Sequence, residues 1–296
     1  MMETFINTLG FFPRGLVYVV LGLVILLIAK IAKDLITSYK IDEQVVQKNN
    51  TAIALTLSGY FAAVIFIFVG AVYQPLTNAR IDGLALFNRG FGLDVLQVAL
   101  YSLAGIVALN LARIFMDHLV LYKFSIDEEL VEGQNLGTAA AQVGMILAIG
   151  LLIGGAVSGA GGGPLTALAF FGMGMVVLVL FALFYELTTP FNIHDEILKD
   201  NVAVGVALGG NLVAIGLVTL KAVFGEFSGW TQGIIEFVIF AVVGFVLLYV
   251  LRLLIDLLIL PTTKVSAAIA NEQNVGVAFV ESTVVIGAAL ILFFAI

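Results

Sequence analysis

Eight stretches of this sequence are long and apolar enough to cross a bilayer, and one recurring polar motif joins them in pairs. A helix rising ~1.5 Å per residue needs about 20 residues to span ~30 Å of hydrocarbon. Residues 15–38, 51–73, 93–121, 138–157, 165–189, 202–224, 231–260 and 275–296 meet that length. The motif reads IDEQVVQKNNTAIAL from Ile41, IDEELVEGQNLGTAA from Ile126, IHDEILKDNVAVGVA from Ile193 and VSAAIANEQNVGVAF from Val265. Its opening aliphatic and closing Asn lie nine positions apart in three copies and eight apart in the third. The expected architecture is an all-α integral membrane protein, with eight transmembrane helices arranged as four repeated hairpins, each bent at the motif.

Composition agrees and excludes several alternatives. Only 11% of the 296 residues are charged, against about 25% in an ordinary soluble domain. No apolar-poor stretch is long enough for a separate soluble domain. The absence of cysteine excludes disulfides, thiolate catalysis and Cys-based metal sites. A net charge of −7 without a basic cluster argues against nucleic acid as a partner. Residues 1–14 read as a short lead, with Pro13 just before the first span. Lys30 and Lys33 follow its apolar part without a small-residue cleavage site, so it reads as a retained span rather than a signal peptide. Residues 74–92 form the longest loop outside the motif copies, punctuated by Pro, Asn and Gly, with room for one short interfacial helix. The run from Ser158 to Pro164, SGAGGGP, is the sharpest break. It divides the chain into halves, 1–160 and 161–296, each of two hairpins, joined at Gly161 to Gly163. Each half has an even number of spans, so parallel rather than inverted repetition is expected.

The repeat extends beyond the motif. The odd-numbered spans end in an acid: Asp34, Asp117, Glu186 and Asp256. Three of these have a cation four residues earlier, Lys30, Arg113 and Arg252, placed to bridge along one helix face, while the third repeat has Ala182 there. Two and four positions after the closing Asn the residues are always small: Ala52 and Ala54, Gly137 and Ala139, Ala203 and Gly205, Gly276 and Ala278. Small residues let membrane helices approach closely. An internal duplication, twice over, accounts for the agreement. Nine of the basic residues fall on the motif side and four on the other. The positive-inside rule then places the motif loops in the cytoplasm and both termini outside.

The closing residues Asn50, Asn135, Asn201 and Asn274 read first as N-caps of the following spans, ahead of ligand contacts. The acids Asp42, Glu43, Asp127, Glu128, Asp195 and Glu196 open short segments with apolar residues behind them, as in an amphipathic interfacial helix with an acidic N-terminus. The sharper alternative is a carboxylate ring guarding a cation path. Ser266 and Ala267 in the fourth copy would leave that ring incomplete. Deeper in the membrane, Gln142 and Glu281 follow their Asn by seven positions, Tyr60 and Asn211 by ten. These offsets share a helix face, about 10–15 Å from the motif end. Four hairpins around a common centre would join them in one polar layer. For Gln142 and Asn211 interhelical hydrogen bonding is a strong structural explanation. Glu281 is a functional candidate because an ionisable group at that depth is costly. Its structural alternative is a protonated or Arg252-paired acid. His118 and His194 lack metal-pair spacing, and no catalytic constellation, cofactor motif or metal site stands out.

The pattern of Ile-Asp-Glu-Glu/Gln, a closing Asn and a small-residue-rich span resembles the bacterial inner-membrane family designated domain of unknown function 350, the YjfL-like proteins. The stretch from Tyr39 to Tyr60, YKIDEQVVQKNNTAIALTLSGY, carries it most fully. The resemblance covers the chain as tandem copies, the fourth degenerate. It implies a bacterial inner-membrane protein of several spans and supplies no activity, no cofactor and no catalytic residue. Two functions fit the residues: movement of an ion or small solute near Glu281, or a membrane-embedded scaffold or stress-associated protein whose acidic bends dock a basic cytoplasmic partner. Neither is enzymatic. Lipid is the expected surrounding, with room for a homo-oligomer.

Overall fold

A computed structural model describes residues 2–73, 89–159, 162–261 and 264–295, with side chains from residue 12 onward. Among the described residues eight helices are long and apolar enough to cross a membrane, and no strand occurs. They are α1 (Met2–Ile36), α2 (Thr51–Tyr73), α3 (Arg89–Val120), α4 (Leu136–Ser158), α5 (Gly163–Thr188), α6 (Val202–Val223), α7 (Trp230–Leu254) and α8 (Val275–Ala295). A wide turn, Ile255–Ile259, extends α7. Each motif copy folds into a short helix at the bend: Glu43–Gln47, Ile126–Val131, Ile193–Leu198 and Val265–Ala270.

The even-numbered helices form a row, α2 on α4, α4 on α6, α6 on α8. The odd-numbered helices flank it. α3 packs on α2 and α4, α5 on α4 and α6, α7 on α6 and α8, and α1 on α2 and α3. Side-chain size explains this division. Lipid is as apolar as leucine, so helices associate where backbones can come close. A Cβ added to Gly144 would collide with Gly209, and one added to Gly70 with Gly154. Gly150 lies against Ala63, and Gly216 against Ala148. The middle of the row is accordingly most enclosed, with 72% of the α4 window and 83% of the α6 window buried, against 11% for α1. Outer helices turn large apolar side chains outward, such as Leu23 and Leu27 on α1 and Val242 and Val246 on α7.

Three expectations change. The helix of α1 starts well before Pro13 rather than after it, so the lead is helical. A proline removes one backbone donor from a membrane helix without stopping it. The hairpins do not surround a common centre, because α2 and α8 stand at opposite ends of the row with no packed face between them. The third concerns the cation–acid pairs. None of Lys30–Asp34, Arg113–Asp117 and Arg252–Asp256 closes into a salt bridge. The acid is engaged elsewhere: Asp34 accepts from Ile41 N at 3.1 Å and Asp256 from Val265 N at 3.1 Å. These are the opening residues of their motif copies, so the acid secures the start of the bend helix. Residues 74–88, with most of the loop expected to hold an interfacial helix, and residues 160–161 at the junction of the halves lie outside the described residues. Beyond the junction, Pro164 stands in the first turn of α5, where its missing N–H costs nothing.

Candidate functional site

The closing Asn serves two helices at once. Its backbone N–H returns to the bend helix, from Asn50 to Gln44 O, Asn135 to Glu129 O, Asn201 to Glu196 O and Asn274 to Ala268 O, at 2.9–3.0 Å. The residue before it is left-handed each time: Asn49, Gln134, Asp200 and Gln273 have φ of 51°, 47°, 57° and 49°. The third copy closes five residues back, as in a Schellman ending, and the other three close six back, one residue wider; all put amide or acid side chains at the left-handed position where glycine is commoner. The Asn Oδ1 then accepts from the third residue onward, Ile53 N, Thr138 N, Val204 N and Val277 N, and so caps the next span.

The amide nitrogens reach further. Asn50 Nδ2 donates to Leu130 O at 2.8 Å, Asn135 Nδ2 to Ile197 O at 2.8 Å, and Asn201 Nδ2 to Ile269 O at 3.1 Å. Each acceptor belongs to the next bend helix, so the first three Asn residues bolt the four bends together in sequence. The same nitrogens bond Gln44 Oε1, Glu129 Oε2 and Glu196 Oε2 in their own bends. In the fourth bend Ala268 replaces that acceptor.

The motif acids are held locally rather than as a ring. Asp42 pairs with Lys30 at 2.6 Å, Glu43 with Lys48 at 3.1 Å and Asp195 with Lys123 at 3.9 Å. Asp127 accepts from Ser38 Oγ of the preceding hairpin, and Ser125 Oγ accepts from Glu128 N. Glu196 accepts from Lys199 at 2.8 Å and from Asn201, which hold its carboxyl below the usual range. The same contact raises the Lys199 ammonium. Burial, with Asp127 adding, pushes the Tyr39 phenol up to about 12. His194 is buried with Nε2 2.8 Å from Val120 O and Nδ1 3.1 Å from Glu186. Among the described residues no three His, Asp or Glu side chains gather into a metal-holding group.

Within the membrane Tyr60, Gln142, Asn211 and Glu281 are all buried, yet they form pairs rather than one layer. Asn211 Nδ2 donates to Glu281 Oε1 at 3.4 Å. Gln142 Nε2 donates to Asp117 Oδ2 at 3.5 Å. Tyr60 OH accepts from Asn110 Nδ2 at 2.9 Å, and its ring lies 4.8 Å from Lys33 Nζ. The row arrangement is the reason, since it separates α2 from α8.

Counted from their motif copies, the two halves carry equivalent sets of polar residues. The first holds Lys33, Tyr60, Arg113, Asp117 and Gln142; the second holds Tyr185, Asn211, Arg252, Asp256 and Glu281. Lys33 lies within electrostatic reach of Arg113 and Asp117, and Glu281 of Arg252. Arg252 stacks 4.9 Å from the Tyr185 ring and donates to Thr189 Oγ1 at 3.1 Å. In the first cluster Lys33 Nζ, Arg113 Nε, Asp117 Oδ1 and Gln142 Oε1 are buried with no hydrogen-bond partner among the described residues. Sequence reasoning placed Arg113, Asp117 and Arg252 in helix-face pairs and Lys33 only as a flanking charge. The signal that connects them is the repeat position, with Lys33 and Tyr185 each one residue before the terminal acid.

On the opposite face a cavity opens between α3, α4, α5, α6 and α7, lined by Tyr101, Thr166, Phe170, Glu226 and Glu236.

Known proteins align with this organisation. The model of the Domain of Unknown Function (DUF350) matches twice in tandem, over residues 5–157 and 160–296. A UPF0719 transmembrane protein of Aquifex aeolicus (strain VF5) is 24% identical over 256 residues, 85% of this chain and 88% of that protein. The UPF0719 transmembrane protein YshE of Bacillus subtilis (strain 168) is 28% identical over 123 residues, 42% of this chain and 87% of that protein. No solved structure matches.

Proposed function

The chain belongs to the DUF350 family of multi-pass membrane proteins, and on that footing we propose that it moves a proton or small cation across the membrane, with Glu281 and Asp117 as the binding groups. The carrying observation is that Glu281 is buried inside the bundle against Asn211, while in the other half Asp117, half-buried near the bend end of α3, meets Gln142. Intramembrane ionisable groups are costly and mark ion and proton routes more often than structural ones. The four unpartnered polar atoms around Lys33 and Asp117 favour water entering from the bend side. The cavity with Glu226 and Glu236 is the corresponding mouth on the other face. In this reading the bends face the cytoplasm, both termini lie outside, the membrane is the bacterial inner membrane, and no residue is catalytic.

The test is pH-dye flux in proteoliposomes under an imposed potential, comparing the natural chain with Glu281→Gln and Asp117→Asn. Flux above empty liposomes that falls about tenfold in either variant supports the reading. Flux at the level of empty liposomes from folded protein, or flux untouched by both substitutions, removes it. The second reading, a scaffold, is favoured by the seam between α4 and α6, which Gly144 and Gly209 close by backbone contact. It expects charge reversal at Asp42, Glu43, Asp195 and Glu196 to release a cytoplasmic partner in pull-downs.

A further inference from the structure

The row of even-numbered helices repeats one contact. Ala63 on α2, thirteen positions after its Asn, lies against Gly150 on α4, fifteen after its own. Ala148 on α4 lies against Gly216 on α6 by the same count. Offset nine meets offset eight likewise: Gly59 with Val143, Gly144 with Gly209, and Gly210 with Ser282. Each helix therefore has a forward face, at offsets 2, 9 and 13, and a backward face, at offsets 8, 15 and 19. The contact of α4 with α6 joins the two family units, so the interface that packs hairpins within a unit also packs unit on unit.

The row is unfinished at both ends. The forward face of α8 carries Gly276, Thr283 and Gly287 at those same offsets, and Gly276 and Thr283 are exposed. A Cβ on Gly287 would meet nothing within 4 Å, and one on Gly276 only the Oδ1 of its own cap Asn274. The backward face of α2 offers Ser58, Ile65 and Val69, all exposed. Ile65 and Val69 line an apolar groove between α2 and α1, with Gly22 on its far wall. The other row positions show what such a groove is for: α3, flanking α4, also packs on α2, whereas α1, flanking α2, has no preceding row helix beside it. The hydrogen-bond ladder is open in the same two places. Among the described residues Asn274 caps its own helix through Oδ1 while its Nδ2 has no acceptor, and Val45 O, equivalent to Leu130 O and Ile197 O, receives no Asn amide.

We infer that a second copy of this chain continues the row head to tail, α8 of one copy seating in the α1–α2 groove of the next. Asn274 Nδ2 then donates to Val45 O across the junction, as the first three Asn residues do within the chain. Gly287 lies against Ile65, and Thr283 against Ser58. The two surfaces differ, so the association is heterologous and closes into a ring or extends as a row according to its rotation. The inference is independent of the transport reading, because no cluster residue takes part.

The chain has no cysteine, so an engineered pair reports cleanly. Gly287→Cys and Ile65→Cys are placed on separate chains, co-expressed and oxidised in native membranes. Both sites are open in a single copy, so neither substitution disturbs its fold. Covalent dimers from the mixture, with neither variant cross-linking alone, are expected. Gly287→Leu is expected to reduce the native particle mass to one chain at unchanged yield. Cross-linking of Gly287→Cys with itself would mean a two-fold α8–α8 contact and overturn the head-to-tail arrangement. No cross-linking, with a natural particle of one chain, would overturn association altogether.

Discussion

Alanine at two of the four closing Asn residues separates capping from bolting. Asn135 makes three side-chain bonds: it accepts from Thr138 N at 2.7 Å and donates to Ile197 O at 2.8 Å and Glu129 Oε2 at 2.9 Å. Asn274 makes only the capping bond, to Val277 N. Asn135→Ala loses a cap, about 1 kcal/mol. It also removes one of the two donors to the carbonyl of Ile197, a buried residue that keeps the Asp200 N–H at 2.9 Å, at about 0.5–1.5 kcal/mol. The sum is roughly 1.5–2.5 kcal/mol. Asn274→Ala loses the exposed cap alone, about 0.5–1 kcal/mol. Both are compared in a Gly287→Leu background, so that contacts between copies do not enter. Unfolding free energies come from denaturant titration in detergent micelles, read by circular dichroism. Asn135→Asp sharpens the comparison: it keeps the capping oxygen but faces Glu129 with a second carboxylate, so it should destabilise, while Asn274→Asp should be neutral. Equal losses at both positions would show that the bonds between bends add nothing beyond the cap, and the row would have to be held by helix packing alone.

Two further outcomes follow from the same structure. Gly144→Leu should destabilise by at least the ~1–3 kcal/mol typical of overpacking, since its side chain meets the Gly209 backbone, whereas Gly287→Leu should leave single-chain stability unchanged; thermal melts of the two in micelles check the contrast. Glu196 is a carboxylate whose folded pKa lies below its ordinary 4.5, through Lys199 first and Asn201 second. Its contribution is full above the unfolded value and lost as pH falls through the folded one, so Glu196→Gln should lose less stability than the natural chain between pH 7 and the acid range in denaturant titrations.

Periodicity and length carried most of the architecture. Apolar runs fix the spans because lipid leaves the backbone no other way to satisfy itself, and the cap role of Asn50, Asn135, Asn201 and Asn274 follows from local chemistry. What stayed illegible depends on tertiary placement. The donation from Asn135 to Ile197 crosses 62 positions, and nothing local to either residue announces it. The left-handed residue before each Asn is Asn, Gln, Asp and Gln, so the glycine signal of a left-handed helix ending is absent. A cation four residues earlier points to a salt bridge for Asp34, Asp117 and Asp256. In the fold, the free N–H groups at the start of each bend helix are nearer and better aligned for Asp34 and Asp256. A polar layer around a common centre required a closed bundle. The small-residue offsets instead gave every row helix two packing faces, and two faces per helix build a row.

The buried clusters bear on function through their energies. An ionisable side chain at the centre of a membrane helix costs about 2.5–3.5 kcal/mol on insertion scales, while an interhelical hydrogen bond returns about 0.6 kcal/mol on average. Amides alone would serve as glue at the lower cost, as Asn110 does on Tyr60. Yet each half retains charged groups at the equivalent positions, and the duplication has redistributed them: Lys33 faces Tyr60 in the first half where Tyr185 stands in the second, and Gln142 occupies the slot of Glu281. Drift under a purely structural constraint would replace the costly member of each pair first. The second half keeps Asp256 in the place of Asp117 and adds Glu281 on α8; the acid hydrogen-bonded to an amide is Asp117 in one half and Glu281 in the other, which a requirement for one amide-bonded carboxylate per half would preserve. That requirement is the one the flux measurement on Glu281→Gln and Asp117→Asn addresses. If both acids are needed for the same transported ion, the double variant should be no worse than the more impaired single one; if each half conducts on its own, each single variant should keep the flux of the other half and the two losses should add.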